Sequence, residues 1–328
     1  MRVFVQGLGA VGSRAARYLV ASDDIDLVLV ADIDHRREAE VAASLGSRAK
    51  VADDAAAASV DVVVLAVPST AQPELARAAL TVGRHVVATA DGLPAVRALL
   101  DLDAETRERG LAVTVGAGFS PGLSCVLAAH AASQFDQVDE VHISRYGTGG
   151  PACARQHHAA LRGRGIDWRD HSWVRRPPGS GRELSFFPDP LGGLDCYRAG
   201  LPDAMLLVPA FPGVARVTAR LAASRRDRLT GGLPMLRPPH REGRIGGLRV
   251  EVRGRRGSLR DTVVLGAIDR PAVAAGTVAG LAARWVGRGD VAPRAQGLAA
   301  AVEALGFLHD LADAGVRAAV FEGTNAAA

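Results

Sequence analysis

Residues 2–12 read RVFVQGLGAVG. A short apolar run breaks into Gly7, Gly9 and Gly12 at the spacing G-x-G-x-x-G, and SRAARYLVAS then continues with helical periodicity. Strand, glycine turn and helix in that order are the opening of a parallel βαβ unit. Gly7 makes the tight turn, Gly9 lets backbone approach a pyrophosphate, and Gly12 lets the helix pack closely on the strand. The helix start at Ala10, Val11 and Gly12 offers free N–H groups and the positive dipole end to that anion. IDLVLVAD gives a second buried strand ending in Asp32, twenty residues after Gly12. From there a carboxylate, with Ile33 beside it, reaches ribose hydroxyls. Asp32 repels a 2′-phosphate and so favours NAD. His35, Arg36 and Arg37 follow at once and could hold that phosphate, which keeps NADP open.

Further βα units repeat the pattern. DVVVLAVPS (61–69), RHVVATAD (84–91) and LAVTVGAGF (111–119) read as continuous buried strands of a sheet covered on both faces. Ligands of such sheets bind beyond the carboxyl ends of the strands. That rule selects Val67, Pro68 and Ser69, then Thr89, Ala90 and Asp91, then Gly118, Phe119 and Ser120. Ser120 and Pro121 also suit the N-cap and first position of a following helix.

The chain has 328 residues, which suggests two domains, and it is 48% hydrophobic, enough for buried cores. Its net charge of +4 is carried almost wholly by arginine, Lys50 being the one lysine, so charge gives no support for a nucleic-acid partner. Cys125, Cys153 and Cys196 are widely spaced and show no metal-ligand spacing, so no metal and no disulfide framework is expected. No apolar run is long enough for a membrane span, and no signal-peptide layout opens the sequence. A cytoplasmic protein with no membrane partner is the expectation.

GAGFSPGLSCVLAAHAA (116–132), VDEVHISRYGTGGP and the stretch LRVEVRGRRGSLRDTVVLGAIDRPAVAAGTVAGLAARWV resemble the saccharopine dehydrogenase-like NAD(P)-dependent oxidoreductases. The similarity is to the reductase-type branch that includes carboxynorspermidine dehydrogenase and lysine 6-dehydrogenase. Ser120 stands where that family usually has Asp. The resemblance implies an α/β fold: a Rossmann doubly wound parallel sheet over residues 1–122, and a second α+β substrate and dimerisation domain with a mixed, largely antiparallel sheet over 123–268. Helices of 269–328 would pack back on the nucleotide domain, and the chain would be a homodimer. In the residues themselves, EVHISRY alternates as a strand, GLRVEVRG and RDTVVLGAID suit a hairpin with a solvated basic tip, and RRPPGSGRELSFFPDPLGG reads as a long loop over the cleft.

RYGTGGPACARQHH (145–158) then falls at the end of a second-domain strand, facing the nicotinamide if the family arrangement holds. Gly149 and Gly150 allow backbone N–H groups to turn toward a carboxylate. Arg145 and Arg155 could clamp it bidentately. His157 or His158, of which at most one faces inward on a helix, could move the proton that accompanies hydride transfer. Cys153 reads as a small buried residue. Asp91, Tyr197 and Arg198 are further candidates, Tyr197 as a catalytic group and Arg198 as a substrate contact, followed by Asp195, His171 and Trp168. Sugar-oxidising Gfo/Idh/MocA-type enzymes usually carry Glu-Lys-Pro after the fifth strand, where this chain has ATADGLP. Without a lysine there, neither lysine acid/base chemistry nor a Schiff base is available. What remains is NAD(P)-dependent reduction of an imine, or oxidation of an amine, on a small carboxylate-bearing substrate derived from an amino acid or polyamine. The alternatives are a CH–OH dehydrogenase with a histidine proton relay and a non-catalytic dinucleotide sensor.

Overall fold

The computed structural model describes residues 1–52, 59–230, 240, 243–316 and 318–320. The chain opens with β1 (Arg2–Gln6), α1 (Ala10–Ala21), β2 (Leu27–Ala31), α2 (His35–Leu45), β3 (Ala49–Val51) and β4 (Val62–Leu65). It continues with α3 (Gln72–Thr81), β5 (His85–Ala88), α4 (Leu93–Leu100), α5 (Asp103–Arg109) and β6 (Val113–Val115). These strands, with a later β15 (Ala295–Gly297), form a seven-stranded sheet in the order β15-β6-β5-β4-β1-β2-β3. Every pairing is parallel. Both faces carry helices, which is why β4 can be VVVL with all four residues buried.

α6 (Leu123–Ala132) leads into the second sheet, and it is buried on nearly every side because it lies between that sheet and the C-terminal helices. There follow β7 (Gln137–Tyr146), α7 (Pro151–Ala160), β8 (Gly165–Arg169), β9 (Ser172–Arg176), β10 (Glu183–Phe187), β11 (Gly192–Arg198), α8 (Asp203–Leu207), β12 (Arg216–Ala222) and α9 (Arg225–Thr230). β13 (Gly246–Arg256) and β14 (Leu259–Asp269) make the expected hairpin, turning at Gly257 with φ +58°. α10 (Pro271–Arg288), α11 (Leu298–Ala301), α12 (Ala304–Asp313) and β16 (Ala318–Val320) close the described chain. The second sheet has nine strands and is antiparallel except where β12 meets β7.

Three sequence readings need correction. The Pro- and Gly-rich stretch 175–193 is not a long loop; it supplies β10 and most of the turn into β11, an antiparallel hairpin, since ELSFF has strand composition between its glycines. Residues after 269 are not all helical, because β15 adds a seventh strand beside β6. Ser120 is not an N-cap. The peptide bond before Pro121 is cis, α6 starts two residues later behind Gly122 at φ +129°, and the Ser120 hydroxyl is used elsewhere.

α10 lies directly on α1. A Cβ on Gly276 would sit 2.5 Å from Arg14 Cβ and 2.7 Å from Val11 O, and one on Gly280 would sit 2.6 Å from Tyr18 Cδ1. Beyond this dry contact, Arg284 bonds Asp24 and the Tyr18 hydroxyl. Gly276→Val should therefore force the two helices apart and cost about 1–3 kcal/mol, lowering the thermal midpoint measured by circular dichroism. An unchanged midpoint would contradict this packing.

Candidate active site

The glycine loop has the geometry its spacing implies. Gly7 sits at φ +91°, and a Cβ on Gly12 would fall 1.8 Å from Gly7 O, so no larger residue fits either place without moving backbone. A Cβ on Gly9 would meet nothing within 4 Å, so the loop is open on the side where a pyrophosphate would approach. Gly9 caps α1, whose first N–H groups at Ala10, Val11 and Gly12 face that opening without intrahelical partners. This cradle fits a dinucleotide.

Asp32 is tied to the loop from the other side. Its Oδ2 accepts from the Leu8 N–H at 2.6 Å and its Oδ1 from the Asp34 N–H at 3.0 Å. Asp34 caps α2 by accepting from the Arg37 N–H. Arg36 donates to Glu40 at 2.9 Å, along the helix, and Arg37 stands 3.6 Å from Asp32. The carboxylate thus stands at the end of β2 beside the glycine loop, and the nearest cations are engaged with acids, an arrangement that suits NAD better than a 2′-phosphate. Ile33 is fully exposed beside it.

A cavity of about 360 Å³ opens at the carboxyl ends of β1, β4, β5 and β6. Val11, Val67, Pro68, Ser69, Thr89, Asp91, Gly118, Phe119 and Ser120 line it from the nucleotide side, and Arg145, Gly149, Arg155 and His157 from the second sheet and α7. Ala90 is fully buried and outside the lining, as are Gly150, which caps α7, and His158, which lies on another side of that helix. The lining also includes residues that were not singled out as site candidates in the sequence, among them Thr70, Gln72, Thr148 and Gln156. Gln72 is almost fully buried and donates to Val67 O at 2.8 Å and Thr89 Oγ1 at 3.3 Å, with its own Oε1 unpartnered. Its one signal was position, at the start of the helix that follows a strand end.

The polar groups divide by environment. Ser69 Oγ accepts from the N–H groups of Asp91 and Gly92, at 2.9 and 3.1 Å, and donates to Asp91 Oδ1 at 3.4 Å. Burial pushes the Asp91 carboxyl above its usual range, against the opposing pull of Arg145. Arg145 is itself buried, donates from Nη1 to Ser120 O, and has an unpartnered Nε. His157 is partly exposed, yet its Nδ1 is buried and unpartnered. Burial and then the Arg145 charge push the imidazole down to about 3. A neutral imidazole of that kind cannot give up a proton near pH 7, so of the expected proton carriers Asp91 is better suited than His157. Burial likewise raises the Cys153 thiol to about 11, which keeps it neutral.

The remaining candidates lie outside this cavity. Tyr197 is buried on β11 beneath the Arg228 guanidinium, 4.1 Å from its ring centre. Arg198 donates to Asp167 at 2.6 Å in a partly buried ion pair. Asp195 pairs with Arg182 near the surface. His171 occupies the β8–β9 turn at φ +60°, and the Trp168 indole donates to Val214 O. Lys50 is exposed on β3, at the sheet's far edge. The glycine turn before Tyr197 marked a strand boundary and no ligand contact in this cavity.

Residues 1–116 match the oxidoreductase family with an NAD-binding Rossmann fold, GFO_IDH_MocA. Over nearly the whole chain the fold is similar to apo saccharopine dehydrogenase (L-Glu forming) from Saccharomyces cerevisiae, at 16% identity and a TM-score of 0.72, covering 98% of this chain and 99% of that one. It is also similar to an amine dehydrogenase from Mycobacterium smegmatis (13% identity, TM-score 0.51, 92% and 96% covered). A third similar structure is DAP dehydrogenase from C. glutamicum in complex with DAP (17% identity, TM-score 0.50, 92% and 94% covered). At these identities the likeness is one of fold. Fold, glycine loop and family match together define the class: an NAD(P)-dependent oxidoreductase. The family match covers the nucleotide-binding part and leaves the missing active-site lysine as it was. The narrower carboxynorspermidine and lysine 6-dehydrogenase branch is not singled out by these similarities. Among the described residues, no helix is long and apolar enough to cross a membrane.

Two outcomes follow. Asp32→Ala should weaken NADH binding roughly 10- to 100-fold, the value of charged hydrogen bonds, without a matching gain for NADPH, because Arg36 stays paired with Glu40; calorimetry with both cofactors checks this. His157 has a folded pKa below its unfolded value of 6.5. Its contribution to stability is therefore complete above pH 6.5 and is lost as pH falls toward about 3. His157→Gln should flatten that acid-side slope in urea melts at about pH 5 and about pH 7.5.

Proposed function

We propose that the chain interconverts an imine and an amine on a small carboxylate-bearing substrate derived from an amino acid, using NAD. The observation that carries this reading is the composition of the cavity at the carboxyl ends of the parallel strands. It joins a buried arginine, Arg145, and a partly buried acid of raised pKa, Asp91, and no lysine lines it. The bound nicotinamide would give or take the hydride at the substrate carbon.

The protein's own part is then small. Arg145, with Arg155 at the more exposed rim, binds and orients the substrate carboxylate. Gly149 keeps side-chain bulk away from that end of the cavity, where an added Cβ would press on Cys153 Sγ at 3.0 Å. Asp91 holds a proton beside the reacting nitrogen and releases or recovers it as the nitrogen changes charge. Ser69 fixes the Asp91 loop through the three bonds described above. The saccharopine, DAP and amine dehydrogenases of similar fold are named for nitrogen-bearing substrates, which supports C–N over C–O chemistry.

The test is NADH consumption by the purified protein with 2-oxo acids in the presence and absence of ammonia or a primary amine. Turnover that requires both components is expected. Turnover with 2-oxo acid alone would replace this reading with C–O chemistry. Arg145→Met should lower kcat/KM at least about 30-fold, the loss expected for an unpaired buried carboxylate. The wild-type reductive rate should fall as pH rises past the elevated Asp91 value, and Asp91→Asn should remove that limb of the profile.

A further inference from the structure

Asp203, at the start of α8, is fully buried and lies outside the cavity lining. Its Oδ1 accepts two hydroxyl protons, from Ser120 Oγ at 2.7 Å and from Ser124 Oγ at 2.9 Å. Its Oδ2 has no partner. Ser124 is closed off from the cavity, but Ser120 is part of the cavity wall. A serine hydroxyl has one proton and two lone pairs. Once that proton is given to an acid, the oxygen can only accept from anything on its other side. The Ser120 carbonyl is likewise occupied, by Arg145 Nη1, so the residue is held at both ends.

We propose that Asp203 is a positioning residue that fixes Ser120 as a hydrogen-bond acceptor and so makes the cavity select an N–H-bearing group, a protonated amine or iminium, over oxygen on the same carbon skeleton. This rests on the imine–amine reading and specifies how nitrogen is chosen. An ammonium has three donors and no lone pair, so an N–H is always available to Ser120. A carbonyl oxygen meets only lone pairs at Ser120. A hydroxyl has a single proton, and in its other orientations it turns lone pairs toward Ser120. A site built for a donor rejects the analogue that lacks it, because its buried acceptor is left unpaired.

The experiment measures binding of two probes to NADH-loaded protein by calorimetry: racemic 2-aminovalerate and racemic 2-hydroxyvalerate. NADH can reduce neither, so binding is read without turnover. The wild type should bind the amine more tightly by about 10- to 100-fold, the worth of a charged hydrogen bond. Asp203→Asn can donate to Ser120 and free its proton to face the cavity, and it should cut the preference at least about tenfold. Ser120→Ala should do the same, and the double variant should lose no more than either single one. NADH affinity, followed by fluorescence, should be retained in each. Ser124→Ala removes the other donor to the same oxygen away from the cavity, so it reports the structural share alone and should keep the preference. If Asp203→Asn does not fold, the Ser120→Ala and Ser124→Ala comparison decides.

The proposal is overturned if the wild type binds 2-aminovalerate no more tightly than 2-hydroxyvalerate. It is also overturned if Ser120→Ala and Ser124→Ala shift the ratio equally, or if Asp203→Asn folds and leaves it unchanged. Absence of amine-dependent NADH turnover together with an intact, Ser120-dependent preference would instead remove the imine–amine reading and leave the donor selection standing.

Discussion

The site depends on a buried polar knot where the two sheets meet. Ser120 lies just past the last strand of the first βα series. Its hydroxyl is held by Asp203, and its carbonyl by Arg145 from β7. Burying a carboxylate or guanidinium costs several kcal/mol unless hydrogen bonds compensate, and each of these two groups makes one such bond to Ser120, which is thereby held at both ends. The segment Gly118–Gly122 is set as a tight turn by this arrangement: Gly118 N–H donates to Pro121 O at 3.0 Å, and a Cβ on Gly122 would overlap Gly118. One end of the cavity therefore takes its shape from contacts that span 83 residues of sequence.

On the cofactor side the constraints are local. The glycine loop, the helix it feeds and the acid at the end of β2 all fall within the first 32 residues, and the bond that ties the acid to the loop is made among them. Asp32 organises the loop as well as presenting a carboxylate, because its bond to the Leu8 N–H couples the strand end to the glycine turn. The packing of α10 on α1 then fixes the helix whose N-terminus faces the pyrophosphate position.

On the substrate side the chemistry is set by burial. Asp91 and His157 line the same cavity, and removal from water favours the neutral form of both. For the acid this means a proton retained above its ordinary range, and for the imidazole a proton refused. Arg145 and Arg155 are the arginines of the lining, which is consistent with the proposed substrate that brings its own negative charge.

The nucleotide-binding half was legible in the sequence because its signals are backbone signals. Gly7, Gly9, Gly12 and Asp32 act through spacing along one βαβ unit, and the strand-end rule picked out Val67, Ser69, Thr89, Gly118, Phe119 and Ser120 without knowledge of the rest of the fold. The cluster from Arg145 to His157 was also visible, since glycines, arginines and histidines in one short stretch are unusual. The sequence did not reveal which side chains share a cavity. Tyr197 and Arg198 sit beside a glycine turn just as Arg145 does, yet the second sheet turns them toward Arg228 and Asp167. Asp203 carries no motif at all, and its role arises only from two serines brought to it across the fold. Local spacing determined the cofactor cradle, because adjacent residues make it. Only the tertiary structure decided the electrostatics of the substrate site, because burial and long-range hydrogen bonds belong to no single stretch of chain.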